Sequence, residues 1–227
     1  MRAKYSKQIK VLIGFEGEWI RPSYSIFINK LNQNVDSFVG SIHYGHGIPI
    51  DYNILFYSCA REAAGGTDKR LFEDYFDFQL QMLETLKPKV VGHFDLIRLL
   101  SDEPNRDLRV WKGIWKKIVR NLRVIVEQGG LAEVNSAALR KGLKEPYPGR
   151  AICEVFLSMG GRLTLSDDCH GLEQVGTNFG KTVEFLEGIG ITEVWLLEPG
   201  ETVGNSKRVI STRSIKLEDI KKSIEPK

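Results

Sequence analysis

Short apolar runs alternate with longer amphipathic stretches along the chain, and the two periods predict two kinds of element. Six runs are strand-length, rich in β-branched or aromatic residues, and bounded by Gly, Pro or polar residues. They are Lys10–Glu16 (KVLIGFE), Phe38–His43 (FVGSIH), Lys89–Asp95 (KVVGHFD), Leu131–Asn135 (LAEVN), Arg162–Asp168 (RLTLSDD) and Glu193–Leu197 (EVWLL). Between them apolar residues recur at helical spacing. The clearest set is Trp111, Ile114, Trp115, Ile118, Leu122 and Ile125, ahead of a Gly129-Gly130 stop. A second helix is predicted from about Phe72 to Leu86 before Lys87-Pro88, a third from Pro148 to Gly160-Gly161, and a fourth over roughly Val175 to Leu186. Strands alternating with helices predict an α/β fold, a mostly parallel sheet with helices packed outside it. No linker, repeat or low-complexity tract divides the chain, so residues 1–227 read as one domain. The polar end, 206–227, carries either one short helix (LEDIKKSI) or a plain tail.

The unusual polar residues sit at the ends of those runs. Glu16 ends the first, His43 the second, and His93 lies near the end of the third; Glu133 and Asn135 close the fourth, Asp168 and His170 the fifth. Parallel α/β proteins gather their chemistry at the carboxyl ends of the strands, whether the sheet closes into a barrel or stays open and doubly wound. Imidazole and carboxylate at several such ends suit a divalent Zn, Mn or Fe ion. A lone strand-end His is ordinarily a hydrogen-bonded structural residue. Here four strand ends carry the same chemistry, and Asp168-Cys169-His170 adds a D-x-H pair. Arg140 and Lys141 follow the fourth strand, where a guanidinium could grip a phosphate with two parallel hydrogen bonds. Arg98 and His46 read more simply, as a solvated surface charge and a loop residue.

Composition narrows the classes. With 42% hydrophobic and 27% charged residues, the chain is not disordered, and 22 Gly with 8 Pro is not collagenous. A net charge of +3 without a basic cluster argues against a nucleic-acid partner. No apolar run approaches a membrane span, and the start MRAKYSKQIKVLIGF has neither an h-region nor a cleavage site, so a cytoplasmic protein is expected. Cys59, Cys153 and Cys169 are odd in number and lack CxxC spacing, as free thiols in a reducing compartment would be. A reactive thiol at Cys169 is the alternative, given its acidic and imidazole neighbours.

Several of these stretches together carry a resemblance. GSIHYGHGIPIDY, KPKVVGHFDLIRLL, GLAEVNSAALRKGLKEPYPGRAICEVFLSMGGRLTLSDDCHG and the following QVG are similar to the histidinol-phosphatase branch of the polymerase-and-histidinol-phosphatase (PHP) superfamily. The likeness runs from about Lys10 to Leu197, and the combination of GHFD, LRKGLKEPYP and SDDxHG is specific. It implies a distorted (β/α)7-type barrel holding two or three divalent metals that activate water and hold phosphate. The implied reaction is hydrolysis of L-histidinol phosphate, a small phosphorylated substrate, to L-histidinol and phosphate. It also implies that Glu16 is the bridging carboxylate, that His43 and His93 are metal-binding imidazoles, and that Asp168 and His170 are the final ligand pair. Arg140 matches the arginine that holds the substrate phosphate, and Asn135 would line the pocket.

The family opens with an H-x-H motif on its first strand and a further histidine in a TEH-like segment. This sequence has no histidine before His43, and KVLIGFE corresponds to a later, glutamate-bearing strand. The resemblance therefore implies a barrel incomplete at its N-terminus, with an unpaired strand edge. It also implies fewer metals than in the family's site, and little phosphatase activity in the isolated chain. Two other functions stay open: a non-catalytic remnant that binds one metal or phosphate weakly, and a PHP-type phosphoesterase acting on a nucleotide or sugar phosphate.

Overall fold

The computed structural model describes residues 2–200 and 210–224. In chain order its strands are β1 (Gly14–Glu18), β2 (Ser37–Ser41), β3 (Tyr44–Gly45), β4 (Ile48–Pro49), β5 (Val90–Val91), β6 (Leu131–Asn135), β7 (Arg162–Ser166), β8 (Glu193–Pro199) and β9 (Ile210–Lys216). The α-helices are α1 (Arg2–Tyr5), α2 (Tyr24–Asn32), α3 (Ile54–Ala63), α4 (Asp68–Leu86), α5 (Lys112–Glu127), α6 (Ala137–Arg140), α7 (Arg150–Ser158), α8 (Phe179–Glu187) and α9 (Leu217–Ile224). β1, β2, β5, β6 and β7 pair in that order as one parallel sheet, while β3 with β4 and β8 with β9 form antiparallel pairs.

The pattern of side chains explains the layers. Every residue of β6 is buried, as a central parallel strand covered on both faces requires. α4 buries Leu71, Phe72, Tyr75, Phe76, Met82, Leu83 and Leu86, a stripe at helical spacing, and packs along α5 through Ile114, Ile118, Leu122 and Ile125. Each such side chain contributes about 1.5–3 kcal/mol of burial. Thr67 caps α4 by accepting from the Arg70 amide, and Lys87 ends it in a left-handed conformation (φ 48°).

Several expectations change in detail. The first strand starts at Gly14 instead of Lys10: Ile9 and Ile13 are 60% and 50% exposed, so the apolar run feeding β1 does not enter the core. Glu16 therefore lies mid-strand, and His43 and His93 each stand two residues beyond their strands. The sixth run does not join the parallel sheet; it pairs with β9, which occupies part of the stretch read as a helix or tail. LEDIKKSI does form a helix, α9. The rest of that tail, 206–209 and 225–227, lies outside the described residues. α2 and α3 carry no prediction, and the fourth helix starts at Phe179 instead of Val175.

Among the described residues the parallel sheet is open, with β1 and β7 at its edges, and no closed barrel forms. β8 packs beside β7 without a ladder between them. The Arg162 guanidinium of β7 lies 4.8 Å over the Trp195 ring and donates to Thr212 Oγ1 at 3.2 Å. Across the gap, Leu197 walls a cavity with Leu12, Ile13 and Phe15, and Lys10 approaches Glu198 at 3.7 Å. The β8–β9 hairpin thus spans between the two edges through side chains.

Candidate metal centre

Three neighbouring strands deliver three ligand-type side chains to one point. Glu16 comes from β1, His43 from the turn after β2, and His93 from the turn after β5. One ligand atom from each lies within 4.8 Å of the others. His93 Nε2 is 2.9 Å from Glu16 Oε1, His43 Nε2 is 3.8 Å from the same oxygen, and the two rings meet edge to face at 4.5 Å. Two imidazoles and one carboxylate fit a Zn, Mn or Fe ion, whose bonds to such atoms are about 2.0–2.2 Å long.

The three side chains are held from behind. Glu18 is two residues after Glu16 on β1, so strand alternation puts both carboxylates on one face. It accepts the His43 backbone N–H at 3.0 Å and lies 2.5 Å from His43 Nδ1. Glu133 of β6 is buried; it accepts the His93 backbone N–H at 2.8 Å and an N–H of the Asn135 amide at 3.0 Å. The carbonyl of Phe94 accepts from Gln79 at 2.9 Å and from the Tyr75 hydroxyl at 3.3 Å, which ties the His93 turn to α4. Gly92 lets the chain pass: a Cβ there would stand 2.5 Å from Ser41 Oγ and 2.9 Å from Val39 Cγ1.

The electrostatics follow from this crowding. Burial alone would raise the Glu16 pKa, but the hydrogen bond and charge of His93, with the charge of His43, hold it at about 2. Burial alone would lower His43, yet the hydrogen bond and charge of Glu18 and the charges of Glu16 and Asp51 raise it to about 9. Glu18, Glu16 and Asp51 thus surround His43 with negative charge.

The remaining sequence-predicted residues are not part of that three-residue cluster. Asp168 is in a left-handed turn (φ 47°), and His170 is exposed with Nδ1 3.0 Å from the Asp168 carbonyl. Neither belongs to the cluster of Glu16, His43 and His93. Arg140 donates to the carbonyls of Asp167 and Asp168, both at 3.1 Å, so its guanidinium fork grips the loop after β7. Asn135 is buried, accepting the Ala137 N–H at 2.9 Å besides donating to Glu133. Arg98 is not a solvated charge: it is buried against Asp95 at 2.9 Å and donates to the carbonyls of Pro104, Glu145 and Pro146. His46 is a loop residue as expected, 2.8 Å from Asp74. Cys59, Cys153 and Cys169 are free thiols, and burial and then Asp167 raise the Cys169 pKa, which disfavours its thiolate.

The sequence pattern assigns no role to Glu18 or Glu133. Glu18 was legible as the partner of Glu16 at strand spacing. Glu133 was not, because its role depends on β5 lying beside β6.

The PHP domain family matches residues 1–137, a stretch that contains Glu16, His43 and His93. The probable histidinol-phosphatase of Schizosaccharomyces pombe is 39% identical over 203 residues, covering 88% of this chain and 66% of the relative. The histidinol-phosphatase of Saccharomyces cerevisiae is 35% identical over 202 residues, covering 78% of this chain and 60% of the relative. The chain thus spans just under two thirds of the length of these relatives. The crystal structure of histidinol phosphate phosphatase from Lactococcus lactis, complexed with Zn, L-histidinol and phosphate, superposes with a TM-score of 0.61 at 16% identity. That match covers 86% of this chain and 72% of the other. At that identity the likeness is one of fold. Among the described residues, no helix is long and apolar enough to cross a membrane.

Proposed function

The chain belongs to the PHP domain family, and on that premise we propose that it is a metal-dependent phosphomonoesterase of the histidinol-phosphatase type, acting on L-histidinol phosphate. The observation that carries this reading is the meeting of Glu16, His43 and His93 at one end of a parallel sheet. A divalent ion bound there supplies a Lewis acid for phosphate oxygen and lowers the pKa of a bound water. The chain's own residues do the rest. Glu16 offers an anionic oxygen, while His43 and His93 offer Nε2. Asp168 and His170 are assigned as further ligands, brought in from the loop after β7. Arg140 is assigned to the substrate phosphate, which would take the place of the two carbonyls it now grips, and Asn135 to the pocket wall. We assign residues 1–227 to one domain, and its free thiols suit a cytoplasmic setting.

One observation favours a second reading. Among the described residues, only Glu16, His43 and His93 form a ligand cluster, which is enough for one ion. On that reading the chain binds a metal and phosphate without turnover. The test is phosphate release from L-histidinol phosphate by the chain loaded with Zn or Mn, beside nucleotide and sugar phosphates. Selective release at about 1–1,000 per second, abolished in Glu16→Ala, supports the phosphatase. One bound ion per chain without release supports the second reading, and no ion at all defeats both.

A further inference from the structure

His43 differs from His93 in what stands behind its ring. Both present Nε2 toward Glu16, at 3.8 and 2.9 Å. Behind His43, Nδ1 is 2.5 Å from Glu18 Oε2 while Glu18 Oε1 accepts the backbone N–H of the same residue. Behind His93, the buried Nδ1 has no hydrogen-bond partner. A neutral imidazole carries one ring proton, and the hydrogen bond made by one nitrogen decides which nitrogen is left to bind a metal. A carboxylate cannot donate, so Glu18 facing Nδ1 keeps the proton there and leaves the Nε2 lone pair for the ion. Its second oxygen fixes the backbone of His43, so the same side chain sets both tautomer and ring position.

Resting on the metal reading above, we propose that Glu18 is a positioning residue of the centre: it holds His43 in the Nδ1–H tautomer and thereby sets the affinity for the ion. His93, without such a partner, is positioned through its backbone by Glu133 and Gly92 instead. Glutamine is the informative replacement. It is nearly isosteric, but it has one carbonyl oxygen where Glu18 uses two. If that oxygen serves the backbone N–H, the amide N–H₂ faces Nδ1 and favours the opposite tautomer.

Two measurements on the 227-residue chain test this. In the first, Zn affinity is measured by competition with a chromophoric chelator for the wild type, Glu18→Gln and Glu16→Ala. Removal of such an outer partner costs about 10–100-fold in metal affinity, and Glu18→Gln is expected to lose that much while its urea midpoint stays near wild type. A midpoint that falls with Zn affinity within about twofold would make Glu18 a structural residue only, and would overturn the proposal. In the second, long-range ¹H–¹⁵N spectra of the Zn-loaded wild type report which His43 nitrogen carries the proton, which needs no variant to fold. A protonated Nδ1 and zinc-bound Nε2 support the proposal, and the reverse overturns it. A wild type that binds Zn no better than Glu16→Ala overturns the metal reading as well, which separates the two failures.

Discussion

Replacing Arg98 with Met tests how the turn carrying His93 is tied to the rest of the molecule. Arg98 and Asp95 stand five and two residues after His93, and their side chains are 6% and 2% exposed. Arg98 bonds Asp95 through Nε, Pro104 O through one terminal nitrogen, and Glu145 O and Pro146 O through the other; it also lies 5.0 Å over the Tyr147 ring. Met keeps most of the volume and removes every donor. Asp95 is then left with backbone donors, the Gly149 N–H at 3.0 Å among them, and three carbonyls lose a partner. Removing one member of a buried pair costs about 3–5 kcal/mol, because the other charge stays behind. Total stabilities are about 5–15 kcal/mol, so the loss is a large fraction. At about 2–4 °C per kcal/mol for a chain of this size, Tm should fall by roughly 6–20 °C. Urea unfolding followed by far-UV circular dichroism measures it directly. Adding Asp95→Asn should recover part of the loss, since the stranded charge is gone. A single-variant loss below about 1 kcal/mol, the value of an exposed pair, would refute the argument that Arg98 is a structural bracket.

Gly92→Ala should destabilise the fold by about 1–3 kcal/mol, the usual cost of overpacking, and weaken Zn binding by displacing His93; urea unfolding and Zn titration of the same sample check both. Arg140→Ala should speed amide hydrogen exchange at 167–170, where Arg140 now bonds two carbonyls, and should weaken binding of inorganic phosphate while leaving Zn stoichiometry unchanged. Zn at one hundred times its Kd should stabilise the wild type by about 2.7 kcal/mol, read as a rise in Tm that a chelator reverses and that is absent in Glu16→Ala.

What could be read from the sequence were the features with a local period. α4 and α5 follow from one stripe of apolar positions each, and β6 falls on the predicted residues 131–135. α2 escaped because Ile26, Phe27 and Leu31 are apolar yet exposed, which blurs its periodicity. The run before β1 misled for the same reason, its apolar residues standing outside the core. EVWLL reads as a parallel strand, but pairing partners are chosen by the whole fold, and here the partner is the antiparallel β9. At the site, position just past a strand end pointed to His43 and His93, whereas Glu16, read as the end of its run, lies mid-strand and joins them across the sheet. Strand-end position did not reveal that Glu133 braces the His93 backbone, a contact made across 40 residues, nor that the Arg140 fork grips its own loop.

The strand that carries Glu16 is the edge of the sheet, two of its five residues are glycine, and only Gly17 of the five is buried. Of the five strands of the parallel sheet it therefore has least of its own to resist fraying, and edge strands open more readily than central ones. An ion shared by Glu16, His43 and His93 would act as a clasp across β1, β2 and β5, so that occupancy and edge pairing rise and fall together. Metal starvation would then do more than idle the site. It would loosen β1, bare the backbone of β2, and offer neighbouring molecules a fresh sheet margin on which to polymerise.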